Sequence, residues 1–186
     1  MSDAFNRSAR VNLPNLITTG RIVLVPIVVW AITVGQIQLA FWLFVVAGVS
    51  DAVDGFLAKR LKVTSEFGAY LDPLADKALL MSIYVTLGIA GLLPLWVVIA
   101  VVSRDIMILG AVIVAWIVGK PLSIQPLAVS KLNTLAQILL AMLVLGSNGF
   151  GFNPGYAYEA ALVLVAVLTG LSAAAYLAAW MRHMAS

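Results

Sequence analysis

Six long apolar runs take up nearly the whole chain and leave little room for any other architecture. They cover residues 15–35, 38–60, 67–92, 95–118, 129–146 and 157–181. About 20 mainly apolar residues cross a bilayer as one helix. The 186 residues are 63% hydrophobic and 10% charged, where a soluble domain runs near 45–50% and about 25%. The expected fold is all-α: one polytopic membrane domain over residues 1–186, with six transmembrane helices and no separate soluble module. The polar stretch Met1–Asn12, with Arg7 and Arg10, reads as an N-terminal juxtamembrane segment. The apolar run after it is long enough to span and no small-residue cleavage site follows a short core, so the reading is a retained first span and not a signal peptide.

The charges choose an orientation. Arg7, Arg10, Lys59, Arg60, Lys62, Lys120 and Arg182 fall at the termini or in the second-to-third and fourth-to-fifth connections. The other three connections carry no Lys or Arg. By the positive-inside rule, both termini and the 59–66 connection are expected on the cytoplasmic face. The basic rim also favours anionic lipid head groups. There is no Cys, and His183 is the single histidine. Thiol nucleophiles, disulfides and His-rich metal sites are therefore excluded, and any metal must sit on oxygen ligands, which points to magnesium, manganese or calcium.

Four carboxylates break the apolar pattern where the second and third runs adjoin. Asp51 and Asp54 are three apart, with Gly55 and Ala58 on the same helical face. Asp72 and Asp76 are four apart, with Gly68 one turn earlier. A charge at the centre of a membrane helix costs roughly 2.5–3.5 kcal/mol on insertion scales, and four acids repel one another. A divalent metal pair offsets both costs. The small residues beside the acids let a bulky ligand approach the backbone. A cation or proton pathway would use intramembrane acids too, and the spacing alone leaves that transporter reading open.

These residues resemble the signature of the CDP-alcohol phosphotransferase (phosphatidyltransferase) family, D-x2-D-G-x2-A-R-x8-G-x3-D-x3-D. Asp51, Asp54, Gly55, Ala58, Gly68, Asp72 and Asp76 match, with the eight-residue gap preserved. Lys59 stands where the signature has Arg, which keeps the charge and loses bidentate phosphate contact; Arg60 follows it. The resemblance implies transfer of a phosphoalcohol from a CDP-alcohol to a second alcohol, with release of CMP. It implies that Asp51, Asp54, Asp72 and Asp76 hold two divalent ions, Mg2+ or Mn2+, and that Asp76 is the general base. Gly55, Ala58 and Gly68 would shape the cytidine diphosphate pocket, with Lys59 at its phosphates. Asn15, Thr18 and Arg21, spaced by three at the first span, resemble the family's nucleotide-bordering helix start. Homodimers are usual in that family.

Two further segments bear on the acceptor. The fourth run carries Ser103-Arg104-Asp105 well inside apolar sequence, and the fifth opens Ser130-Lys131-Leu132-Asn133-Thr134. Arg104 and Lys131 are the expected acceptor phosphate-binding residues. Ser130, Thr134 and Gln137 read as helix–helix hydrogen-bonding groups. Arg104-Asp105 and Ser130-Lys131-x-Asn133-Thr134-x2-Gln137 are similar to the eukaryotic-type cardiolipin synthases of the family, as are Thr169, Ser172 and Tyr176 on the sixth run. Phosphatidylglycerophosphate synthases look similar but tend to show Gly-Lys-x-Lys-Thr at the fifth. The expected reaction joins the phosphatidyl group of CDP-diacylglycerol to phosphatidylglycerol, giving cardiolipin. The alternatives are the same chemistry on glycerol 3-phosphate, and an acid-lined cation transporter.

Overall fold

Each apolar run becomes a helix, because a helix satisfies its own backbone hydrogen bonds and leaves only side chains to meet the surroundings. The computed structural model describes Gly20 and residues 23–61, 66–118 and 128–185; side chains at 51–61, 66–76, 112, 113, 115, 116 and 183–185 are outside that description. The helices are α1 (Val23–Thr33), α2 (Ile37–Leu61), α3 (Glu66–Ile89), α4 (Leu95–Ile117), α5 (Ala128–Phe150) and α6 (Tyr156–Ala185). No strand occurs among the described residues.

Three connections are short because glycine ends the helix before them. Gly35 has φ 78° and Gly91 has φ 72°. At the first, Gly35 N–H donates to Ile32 O (3.1 Å) and Gln36 N–H to Ala31 O (2.8 Å). At the second, Gly91 N–H donates to Gly88 O (3.1 Å) and Leu92 N–H to Leu87 O (2.9 Å). This paired pattern satisfies the last carbonyls of a helix and needs a left-handed residue at its centre. Gly151, with φ 71°, ends α5 in a related turn. α5 runs to Phe150, past the expected stop at 146. The polar residues there are satisfied from within: Ser147 Oγ donates to Val144 O (3.2 Å) and Asn148 Nδ2 to the same oxygen (2.8 Å).

α5 is the central strut. It packs against α2, α3 and α6, while α4 packs against α3 and α6. All six helices feed one core, through residues such as Val28, Phe44, Tyr84, Val101, Leu140 and Val165, each no more than 5% exposed. α3 and α4 approach closely at Gly88, where an added Cβ would meet Val98 Cγ2 at 2.8 Å.

Many large apolar side chains are exposed among the described residues. Trp30, Trp42, Trp96, Ile99, Val163 and Leu171 are all more than half exposed, whereas water-soluble monomers rarely show large contiguous apolar surfaces. Among the described residues, α5 and α6 are long and apolar enough to cross a membrane. Only 39% and 28% of their spanning windows are buried, so they are not enclosed like the core helix of a soluble protein. The architecture is all-helical and consistent with a membrane protein.

Candidate active site

The backbone carries the acid motif on two consecutive helices. Asp51, Asp54, Gly55, Ala58 and Lys59 lie in the last turns of α2, and Gly68, Asp72 and Asp76 in the first half of α3. Their side chains are outside the described residues, as are Asn15, Thr18 and Arg21 altogether. What is described begins one residue after Asp76, at Lys77, and continues across α4, α5 and α6.

There the structure assembles a buried ionic cluster. Arg104 and Asp105 are each 4% exposed in the middle of α4. Arg104 Nη1 donates to Asp105 Oδ1 (2.5 Å), Nη2 to Ser130 Oγ on α5 (2.6 Å), and Nε to Ser172 Oγ on α6 (3.2 Å). Nη2 also donates to Ser172 Oγ. The guanidinium carbon sits 5.6 Å from the centre of the Tyr176 ring, within the range of a cation–π contact. Lys77 Nζ reaches the same Asp105 oxygen at 3.3 Å. Two cations thus share one carboxylate, and among the described side chains the cluster carries one net positive charge.

A neutral polar pair lies beside it. Asn133 is fully buried, and its Oδ1 accepts from Thr169 Oγ1 at 3.0 Å. Its Nδ2 has no partner among the described residues. Thr134 Oγ1 donates back to Ser130 O (3.1 Å) within α5. Tyr84 of α3 donates its hydroxyl to Gln137 O at 3.0 Å, which pins α3 to α5. Gln137 is 2% exposed, and its Nε2 is likewise without a partner.

Of the two expected acceptor residues, Arg104 is buried with all three nitrogens engaged by protein groups, while Lys131 is exposed in the first turn of α5. Ser130 makes the expected contact between helices. Thr134 bonds within its own helix, and Gln137 joins α3 through its backbone oxygen. Thr169, Ser172 and Tyr176 line one face of α6 and all meet this cluster. Sequence reasoning did not place Lys77 with Asp105, 28 residues on, or Tyr84 with Gln137. Nothing local in the sequence signals either pair. A lone tyrosine hydroxyl and a lysine in apolar sequence are both groups that need partners. Among the described residues, which do not include the four Asp side chains, there is no group of three or more metal-ligating side chains.

Comparison with known proteins adds what the described side chains leave open. A probable cardiolipin synthase (CMP-forming) of Drosophila melanogaster is 32% identical over 88% of this chain and 56% of its own length. The cardiolipin synthase (CMP-forming) of Homo sapiens is 29% identical over 88% of the chain and 60% of its own length. The CDP-diacylglycerol–glycerol-3-phosphate 3-phosphatidyltransferase of Bacillus subtilis is 35% identical over 74% of the chain and 78% of its own length. The chain therefore spans somewhat over half the length of the cardiolipin synthases it matches. Residues 11–179 match the CDP-alcohol phosphatidyltransferase family, a stretch that runs from the N-terminal polar segment through the acid motif on α2 and α3 to the polar face of α6, and the chain belongs to that family.

Proposed function

We propose that the chain is a membrane-embedded transferase that moves the phosphatidyl group of CDP-diacylglycerol onto a hydroxyl of phosphatidylglycerol, giving cardiolipin and CMP. The observation that carries this reading is the fixed-spacing acid motif, Asp51 to Asp76, on two consecutive helices. The whole chain acts as one domain of six transmembrane helices, works as a homodimer, and keeps both termini and the motif on the cytoplasmic face.

The donor set fits divalent metals. It is all carboxylate in a chain without Cys, and the helices carry its members at spacings of three and four. Asp51, Asp54, Asp72 and Asp76 would hold two ions, Mg2+ or Mn2+, which when bound neutralise the diphosphate and stabilise leaving CMP. Asn15, Thr18, Arg21, Gly55, Ala58, Lys59 and Gly68 receive the cytidine diphosphate. Asp76 takes the proton of the acceptor hydroxyl. The acceptor oxygen then forms a bond to the phosphatidyl phosphorus as the bond to CMP breaks.

Lys131, exposed in the first turn of α5, meets the acceptor phosphate, and Arg104, with its nitrogens held by Asp105, Ser130 and Ser172, acts on it through its charge. The buried cluster supports a modest role for Arg104: one net positive charge, spread over Lys77, Arg104 and Asp105, suits a phosphodiester monoanion. Purified protein given CDP-diacylglycerol should release CMP with phosphatidylglycerol and form cardiolipin. The second reading is a phosphatidylglycerophosphate synthase, favoured by the Bacillus subtilis relative, most of whose length this chain spans. CMP release that requires glycerol 3-phosphate, with phosphatidylglycerol inert, would establish it.

A further inference from the structure

Lys77 follows Asp76 directly on α3. An α-helix turns once in about 3.6 residues, so the direction in which Lys77 is held sets the phase of the whole acid face about the helix axis. Pro73 lies between Asp72 and Asp76 and has no backbone N–H to give. The helix therefore has one internal bond fewer where the acids sit. Farther along, α3 is fixed by the Tyr84 hydroxyl on Gln137 O and by the close approach of Gly88 to Val98. Those points lie roughly 10 and 16 Å beyond Lys77 at the helical rise. Leu79, Leu80 and Ile83 bury apolar surface nearer to it, but that force has no direction. Among the described residues, the directional tie at the motif end of α3 is Lys77 Nζ on Asp105 Oδ1, at 3.3 Å.

The two partners are unequal. The Lys77 side chain is 37% exposed and that of Asp105 is 6% exposed. Asp105 is also fixed on its own side: Arg104 Nη1 donates to the same oxygen, and the guanidinium is in turn held by Ser130 of α5 and Ser172 of α6. A partly exposed cation thus meets an anion clamped among α4, α5 and α6. A pair this exposed adds little to stability, and what it does supply is direction. We infer that Asp105 is a positioning residue for the acid motif: acting through Lys77, it sets the rotation of α3 next to Asp76, and so the spacing of the carboxylates across α2 and α3. The inference rests on reading the four Asp as ligands of divalent metal.

The test measures Mn2+ binding directly, by electron paramagnetic resonance of the full chain in phosphatidylcholine nanodiscs, before any substrate is added. Asp72→Asn should weaken binding and so identifies the site. Lys77→Met removes a cation beside it. By charge alone that change should tighten Mn2+ binding; loss of position should weaken it, by about tenfold, the low end of what outer partners of a metal site contribute. The unfolding midpoint should stay near that of the wild type. Asp105→Asn should weaken binding to a similar degree, and Lys77→Met should add nothing in that background. Lys77→Arg still reaches the carboxylate and should retain most of the affinity. Unchanged or tighter binding in Lys77→Met, with Asp72→Asn weakened, overturns the inference and leaves the metal reading standing; this variant decides the matter even where Asp105→Asn folds poorly. Additive losses in the double variant overturn it too, because Lys77 would then act without Asp105. Wild-type binding that Asp72→Asn does not alter removes the metal reading and this inference with it. CMP release on the same samples reports on the transferase reading separately. The expected Mn2+ pattern without CMP release from CDP-diacylglycerol would keep the positioning role and remove the transferase assignment.

Discussion

Replacing Asp105 by Ala should be among the most destabilising single changes in the bundle, because it strands a buried cation. Arg104 is 4% exposed. After the change its guanidinium keeps only the Ser130 and Ser172 hydroxyls and the Tyr176 ring. Removing one partner of a buried ion pair costs roughly 3–5 kcal/mol, a shift of about 10²–10⁴ in the folding equilibrium. Lys77 adds little to this figure. Its side chain is 37% exposed, so its share of the attraction is screened and worth roughly 0–1 kcal/mol. Asp105→Asn keeps an acceptor for Arg104 and loses the charge, which should cost about 1.5–3 kcal/mol. The double change Arg104→Met with Asp105→Leu removes both charges and should cost far less than Asp105→Ala alone. Lys77→Met should cost about 0–1 kcal/mol. Titration from mild detergent into dodecyl sulfate, followed by circular dichroism, would rank the four variants. The reasoning fails if Asp105→Ala unfolds no earlier than Lys77→Met, or if the double change is worse than Asp105→Ala.

Four other outcomes follow from the same reading. Activity should vanish with excess chelator and return with magnesium or manganese, and undiminished turnover in chelator would remove the metals from the scheme. Asp76→Asn should keep the fold and much of the nucleotide affinity while losing about 10²–10⁴-fold in turnover; a near wild-type rate would show that another group takes the proton. A Cys introduced at Gln36 should react with an impermeant thiol reagent from outside the cell, and one at Thr64 should not; the opposite pattern inverts the topology. Gly91→Val forces a β-branched residue to φ 72° and should cost about 1–3 kcal/mol, read as an earlier unfolding midpoint with the catalytic constants of the surviving protein unchanged.

The sequence makes the helices legible because hydropathy and glycine both act locally. The expected runs at 38–60 and 95–118 differ from α2 and α4 by a residue at each end or less. α5 outran its expectation because Ser147 and Asn148 bond back to Val144 and so do not end a helix, although their polarity reads as a break. The site divides in the same way. The i, i+3 and i, i+4 spacing of the four Asp is visible in one dimension. So is the face shared by Thr169, Ser172 and Tyr176, and the structure sets that face against α4 and α5. What sequence cannot display is which distant group satisfies a buried ion. Arg104 reads as a ligand-seeking cation, yet Asp105, Ser130 and Ser172 already occupy its nitrogens. Those partners come from three helices, and only their packing makes them neighbours.

Asn133 ties this packing to the choice of acceptor. It occupies the position where the similar phosphatidylglycerophosphate synthases tend to have the second lysine of their Gly-Lys-x-Lys-Thr segment. In this structure it is fully buried and bonded to Thr169. A lysine there would bring another cation beside Arg104 in a low-dielectric interior, where an ammonium is costly unless an anion accompanies it. A soluble acceptor with a dianionic phosphate brings such an anion. A phosphodiester carries one negative charge, and the cluster of Lys77, Arg104 and Asp105 already supplies one positive charge to match it. The neutral Asn133–Thr169 pair therefore fits an acceptor of lower charge. On the proposed reading, the single positive charge of the described cluster suits a phosphodiester better than a small dianion.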